Sequence, residues 1–325
     1  MLKVGIEMRE HSQFSVVIPL YNKADTIART LESVRAQTYK GFEVVIVDDG
    51  STDEGALIAE SFKRYFRLKV VRQKNSGVSV ARNTGAQHSQ APYLAFLDAD
   101  DEWLPGYLEE INRMIEEFPH IEVCGTNYYC VTKKALVCNR SWGKTRKLVD
   151  FATAWIIRCP IHTSSSVISK EAFKSVGGFV PSHKYYEDAE LLFKLSARGK
   201  FGVSSIPMVK YNSDATVRAT ESVKPISVYA HWIYFETLLS RGEHIPNINK
   251  AVKWELSRRF VENFIHNKIK ASNEIYDIYP YMVKSLGWIG RLLVRRSNPI
   301  AWMVVIGAKV IFVILARLSI KRFYR

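Results

Sequence analysis

Between residues 14 and 129, short unbroken apolar runs alternate with stretches whose apolar positions recur every three or four residues. These are the signatures of buried strands and of one-sided helices. The run over 14–18 predicts a strand ended by Pro19, and the spacing of Ile27, Leu31 and Val34 predicts a helix behind it. A second strand over 42–47 breaks at Asp48-Asp49-Gly50-Ser51, and Ser51 with Glu54 reads as a capping box for a helix running to Arg67. A third strand is expected over 68–71, a helix over 78–88 and a fourth strand over 93–97. Pro105, at a first-turn position, opens a helix to 118, and 121–129 is a fifth strand. Near-continuous apolar strands separated by helices predict an α/β fold with a mostly parallel sheet covered on both faces.

Regularity fades over 130–160. A strand over 164–169, a short helix over 170–176 stopped by Gly177-Gly178, and a helix over 189–198 closed by Gly199 follow. Beyond about Thr220 the sequence is aromatic-rich and helix-forming without strand signals, which places a boundary near Glu221. The expected organisation is an α/β domain over 1–220 and a helical appendage over 221–325.

Charge adds to this picture. The net charge is +14 over 325 residues, and the excess gathers late, in Lys284, Arg291, Arg295, Arg296, Lys309, Arg317, Lys321, Arg322 and Arg325. These bases are interleaved with large apolar residues, which favours an anionic membrane surface over nucleic acid. No zinc-finger spacing or RNA-binding aromatic signature accompanies them. Residues 299–316 are apolar except for Lys309, and at 100° per residue Lys309, Arg317 and Lys321 share one side. That suits a helix lying in the interface better than one crossing it. Four cysteines (124, 130, 138, 159) form no CxxC pair, which is the pattern of reduced thiols. Residues 1–13 are charged and lack an apolar core, so cytosolic placement is expected and Asn139-Arg140-Ser141 is not read as a glycosylation site.

Candidate chemistry lies at strand ends, where sheets of this kind bind ligands. Phe96-Leu97-Asp98-Ala99-Asp100-Asp101 runs from a strand into carboxylates. On an extended backbone Asp98 and Asp100 share a face and could hold a hard cation, Mg²⁺ or Mn²⁺, against a diphosphate. Asp49 (or Asp48) could accept a hydrogen bond from a nucleobase or ribose. Residues 75–85 lead from loop into helix; the small residues around Gly77 permit close backbone approach, and Arg82 could pair with phosphate. Tyr186-Glu187-Asp188-Ala189 puts two carboxylates at a helix start, as a cap or as a general base. Other frameworks fit poorly. No glycine lies between Pro19 and Asp25 for a dinucleotide fold, Gly143-Lys144-Thr145 lacks the earlier P-loop glycine, and Trp103 stands where an EF-hand needs glycine.

The motifs at 16–22, 45–53, 75–85 and 96–101, then Gly177-Gly178-Phe179 and Glu187-Asp188, occur in order. Together they resemble the inverting, nucleotide-sugar-dependent glycosyltransferases of family 2, with the GT-A fold, over about 14–212. The resemblance implies that the loop carrying Pro19 and Tyr21, with Asp49, holds the nucleoside, and that Gly77 and Arg82 lie near base or phosphate. Asp98 would lie by the ribose and Asp100 would bind the Mn²⁺ or Mg²⁺ on the diphosphate, with Asp98 beside it. Asp188 would be the base and Glu187 would shape acceptor contacts. The implied partners are a nucleotide-sugar donor, UDP favoured, and a glycan or lipid-linked acceptor, with no nucleic acid and the oligomeric state open. The implied place is the cytoplasmic face of the inner membrane. A non-catalytic sugar-nucleotide scaffold and a metal-dependent phosphatase-like hydrolase are the alternatives. No Arg-Trp pair exists, which disfavours a processive polymerase, and the histidine many relatives carry after the last core strand has no counterpart at 211–214.

Overall fold

The computed structural model describes residues 12–132, 136–138, 146–157, 159–183, 185–212, 229–243, 245, 247–252, 254–256 and 281–282. The chain divides into two compact units, Met1–Phe151 with Cys159–Val223, and Ala152–Arg158 with Lys224–Arg325.

The first unit opens with β1 (Phe14–Leu20), α1 (Ile27–Arg35), β2 (Phe42–Asp48), α2 (Gly55–Ser61), β3 (Leu68–Arg72), α3 (Val78–His88) and β4 (Tyr93–Phe96). There follow β5 (Glu102–Trp103), α4 (Tyr107–Glu117), β6 (Val123–Val131), β7 (Leu136–Cys138) and β8 (Arg146–Val149). After α5 (Phe151–Ile157), which belongs to the second unit from Ala152 on, the first unit continues with β9 (Ser166–Ser169) and α6 (Lys170–Ser175) and ends with α7 (Glu187–Ser196) and β10 (Phe201–Asn212). Among the described residues one sheet of ten strands runs β3-β2-β1-β4-β9-β6-β10-β5, with β7 on β6 and β8 on β10. The β3-β2-β1-β4 part is parallel, whereas β9 is antiparallel to both of its neighbours. The chain walks outward from β1 to β3 and then returns to the other side of β1 as β4. The carboxyl ends of β1 and β4 therefore flank a topological switch, where such sheets bind ligands.

Every residue of β1 and β2 is buried. The period of two sends Val16, Ile18, Val44 and Ile46 into a core with Leu31 of α1 and Ile111 of α4. Val45 and Val47 face the other way, onto Ala81 of α3. This explains why both strands read as continuous apolar runs.

Several expectations are corrected. β1 does not end at Pro19. Val17 O accepts from Leu97 N on the β4 side and Leu20 O from Asp49 N on the β2 side. By alternation the Pro19 nitrogen faces the β4 side, beyond the end of β4 at Phe96, so its missing N–H costs the ladder nothing. Ser51 caps no helix. Its hydroxyl accepts from Asn22 N, α2 begins later at Gly55, and the helix stops at Ser61 before a short 3-10 turn, well short of Arg67. Pro105 lies before α4, which starts at Tyr107. Asp98 and Asp100 are not on extended strand: Asp101 N donates to Asp98 O, closing a turn. β5, β7, β8 and the long β10 were not foreseen.

Cys124, Cys130 and Cys159 are unbridged, and the Cys138 side chain lies outside the described residues. In the second unit α8 (Ala230–Ser240) buries Trp232 and Phe235, and Trp155 Nε1 donates to Glu255 Oε1 at 2.8 Å. No helix among the described residues is long and apolar enough to cross a membrane. The basic, apolar segments beyond residue 282 lie outside the described residues.

Candidate functional site

A cavity of about 720 Å³ opens at this switch point, lined by Pro19, Tyr21, Asp49, Gly77, Arg82, Asp98, Asp100, Glu187 and Asp188 among others. The candidate site residues read from the sequence therefore converge on one space, with one exception. Asp48 does not join the lining; its Oδ1 accepts from Ser51 N at 2.9 Å.

Asp49 builds one wall. Its Oδ1 accepts from Gln73 Nε2 and Ser76 N, and its Oδ2 from Gly77 N, each at 2.8 Å. These bonds pin the loop before α3, where Gly77 takes a φ of 91° that a side chain resists. Asp49 thus shapes the loop as well as lining the cavity.

Arg82 differs from its expected role as a phosphate partner. It is only 3% exposed and locked between two acids, with Nη2 on Asp98 Oδ1 at 2.7 Å and Nη1 on Glu187 Oε1 at 2.9 Å. Burial works against the buried cation, but Asp98 and Glu187 outweigh it and raise its pKa. Arg82 Nε is buried with no partner among the described residues. One guanidinium therefore ties the acid after β4 to Glu187 at the start of α7. For Asp98, burial raises the pKa, yet Arg82, with His162 and Lys23, brings it below the usual range. Glu187 is pushed up to about 7 by burial and by Asp188, against the pull of Arg82.

Asp188 Oδ2 accepts from Thr163 Oγ1 at 3.0 Å, and Oδ1 from Ala189 N at 2.7 Å. The preceding Tyr186 holds a left-handed φ of 61°, which turns the chain into the helix. Asp100 pairs with Lys23 Nζ through Oδ2 at 2.8 Å. Behind these acids, buried Asp101 accepts from Ser164 Oγ at 2.6 Å and from Asn212 N at 2.9 Å, joining the turn after β4 to the ends of β9 and β10. Burial, then Asp98 and Asp100, push its pKa well up.

The donor set suits a divalent cation of one kind. Among the described residues no three His, Cys, Asp or Glu side chains are grouped to hold a metal. Asp100 Oδ1 and Asp98 Oδ2, however, accept no protein hydrogen bond among the described residues. Mg²⁺ and Mn²⁺ are commonly held by one or two carboxylates and completed by ligand phosphates. Asp98 and Asp100 fit that arrangement.

Lys23, His162, Thr163 and Tyr211 also line the cavity and were missed in the sequence. The absent histidine near 211–214 turns out to have a spatial neighbour in His162, whose ring sits on Tyr211 with centroids 4.2 Å apart. The one local signal was a polar cluster, His162-Thr163-Ser164, at the mouth of the strand expected over 164–169.

Comparison with known proteins matches residues 15–177 to the family described as Glycosyl transferase family 2. "Uncharacterized glycosyltransferase YibD" of Escherichia coli (strain K12) is 35% identical over 140 residues, which is 42% of this chain and 38% of that protein. The chain thus spans well under half the length of that relative. An uncharacterized glycosyltransferase of Haemophilus influenzae is 26% identical over 275 residues, 82% of this chain and 89% of that one. Among solved structures, S. aureus TarS 1–349 in complex with UDP-GlcNAc superposes with a TM-score of 0.70 at 19% identity, covering 86% of each chain. That likeness is one of fold, and the fold is GT-A.

Proposed function

The chain belongs to glycosyl transferase family 2, and on that basis we propose that it transfers one sugar per encounter from a nucleoside-diphosphate donor, UDP-linked by preference. The receiving group is a hydroxyl of a glycan or lipid-linked acceptor, and the anomeric configuration inverts. One observation carries this reading: a single cavity gathers Asp49, Asp98 and Asp100 from two strand ends with Glu187 and Asp188 from α7. The similar fold of a protein solved with UDP-GlcNAc supports a uridine donor.

The nucleoside lies against the Pro19–Tyr21 loop and the wall that Asp49 builds with Gly77. The diphosphate lies toward Asp100 and Lys23, whose ammonium can meet the negative charge that grows on the leaving oxygen. Asp188, held by Thr163, takes the proton from the acceptor hydroxyl. The acceptor oxygen bonds to the anomeric carbon from one face as the carbon–oxygen bond to the diphosphate breaks on the other, and the electron pair leaves with the nucleoside diphosphate. Arg82 keeps Asp98 and Glu187 in fixed relation throughout. Asp100 and Asp98 would hold a Mn²⁺ or Mg²⁺, which supplies further charge neutralisation of the diphosphate. The basic, apolar stretch after residue 282 supports action at the cytoplasmic face of the inner membrane, where a lipid-linked acceptor is within reach.

Asp188→Asn tests the reading. UDP-sugar binding measured by calorimetry stays within about twofold of the unaltered protein, while transfer falls by a factor on the order of 10³. Near-normal turnover by that variant removes Asp188 from the role of base.

A further inference from the structure

Among the residues that line the cavity, the mechanism leaves His162 without a task. His162 heads the 3-10 turn Thr163–Ser165 that leads into β9. Its ring packs against Tyr211 and Tyr128, with centroids 4.2 and 5.8 Å away. The backbone N–H of Ser164 faces its Nδ1 at 3.3 Å. A backbone amide can only donate, so Nδ1 accepts, and a neutral imidazole then carries its proton on Nε2. Asp101 Oδ2, at 4.0 Å from Nδ1, lies beyond hydrogen-bond reach and already receives the Ser164 hydroxyl. Burial holds the ring toward its neutral form, and Asp98 and Asp188 oppose it without prevailing. The same tautomer leaves Nε2 without the lone pair a cation ligand needs. It leaves an N–H donor whose nitrogen has no protein partner among the described residues, on a ring that lines the cavity.

Position says what that donor meets. In single displacement the attacking and leaving oxygens lie on opposite faces of the anomeric carbon. The transferred ring must then sit between Asp188 and the Asp98–Asp100 end. His162 directly precedes Thr163, whose hydroxyl holds Asp188, and its Nδ1 lies 4.0 Å from Asp101, the neighbour of Asp100, so it stands beside that ring. It is far less suited to the nucleoside, which lies across the cavity by Asp49.

We infer that His162 donates a hydrogen bond from Nε2 to a ring substituent of the transferred sugar and helps decide which sugar the donor carries. The inference rests on the glycosyl-transfer reading above and adds a specificity-determining residue to it. A hydroxyl or acetamido oxygen that accepts this bond is favoured. A sugar whose epimeric or missing oxygen leaves the N–H unpaired in a confined site is rejected.

The test compares full-length protein with His162→Phe, which keeps the ring stacked on Tyr211 but removes the donor, and with His162→Gln, which restores an N–H. Each is titrated with UDP, UDP-glucose, UDP-galactose and UDP-N-acetylglucosamine, and transfer is followed with the same donors. His162→Phe should bind UDP within about twofold of the unaltered protein. Its affinity for the preferred UDP-hexose should drop about tenfold, the worth of one lost hydrogen bond, with selectivity narrowed and His162→Gln recovering most of the loss. Unchanged hexose affinity and selectivity in His162→Phe overturn the inference alone. Failure of the unaltered protein to bind any of the four ligands overturns the uridine-donor reading and this inference with it. Should the variants not fold, imidazole ¹⁵N shifts of the unaltered protein decide. A protonated Nε2 that moves with the preferred UDP-hexose and not with UDP upholds the inference, and a proton on Nδ1, or no such difference, sinks it.

Discussion

At the scale of single residues, Arg82 ties the cavity together, because two acids 89 positions apart in sequence share its guanidinium. Glu187 nevertheless keeps a pKa of about 7 against an ordinary 4.5, since burial and neighbouring Asp188 weigh more than its ion pair. The sign of the linkage follows. The folded state holds a proton that the unfolded chain has already given up, so the contribution of Glu187 to stability is largest below about pH 4.5 and is lost as pH rises through about 7. Glu187→Gln removes this dependence while Arg82 keeps Asp98. The melting temperature of the unaltered protein minus that of the variant should therefore fall steadily between pH 4.5 and 7.5, and a difference that stays constant across that window would show that Glu187 is not raised. The acids themselves were legible in the sequence because carboxylates at strand ends and helix starts have a limited set of uses. Arg82 was legible as a cavity residue, but its two partners were not, since a local motif cannot say which carboxylate an arginine meets across the fold. His162 was missed for the same reason: its task is defined by Ser164 N–H and Tyr211, and only the fold brings Tyr211 to it.

Elements place these residues, and the helix that carries Arg82 is held tightly. At Gly85, on the face of α3 that meets β1, an added Cβ would run into Val17 Cγ1 inside contact distance. Val17 is fully buried in the central strand, so α3 would have to move away from the sheet. Gly85→Ala should cost about 1–3 kcal/mol by overpacking, read as a lower urea midpoint with an unchanged slope. Because Arg82 and the loop pinned by Asp49 move with α3, UDP affinity should fall as well. An unchanged midpoint would mean that the helix–sheet contact is slack. Strands buried on both faces were readable from their unbroken apolar runs, and β1, β2 and β4 were found within two residues. In the other half of the sheet β6 and β9 were also found within two residues, but β5, β7, β8 and β10 were not. β5 has two residues, and β10 carries register shifts between Ser204 and Val209 around Pro207, so neither presents a clean period. The dyad of Asp98 and Asp100 was found for a reason the structure corrects, since a turn, and not strand alternation, delivers both side chains to the cavity.

At the scale of the whole molecule the sequence read one boundary near Glu221, whereas the second compact unit also takes in Ala152–Arg158 from the middle of the chain. A contribution from so short a segment leaves no change in composition to detect. What the sequence does carry is the charge of the final stretch, where Lys309, Arg317 and Lys321 share one side of a helical repeat otherwise rich in Trp302, Phe312 and aliphatic residues. Near an anionic surface each base contributes about 1 kcal/mol, and the attraction fades within a Debye length. Reversing all three to glutamate in the full-length chain removes that attraction and adds repulsion, while the apolar residues remain. If the proposed membrane association is electrostatic as well as apolar, co-sedimentation with vesicles containing phosphatidylserine should fall at least a hundredfold in the triple variant. Binding to neutral phosphatidylcholine vesicles, weaker from the start, should change little, and salt should weaken only the unaltered protein on anionic vesicles. Transfer to a soluble acceptor, proposed to rest on Asp188 and the other acids of the cavity, should be untouched. Equal binding of both proteins to anionic vesicles would show that the basic stripe faces protein and that the positive charge of this chain serves some end other than the membrane.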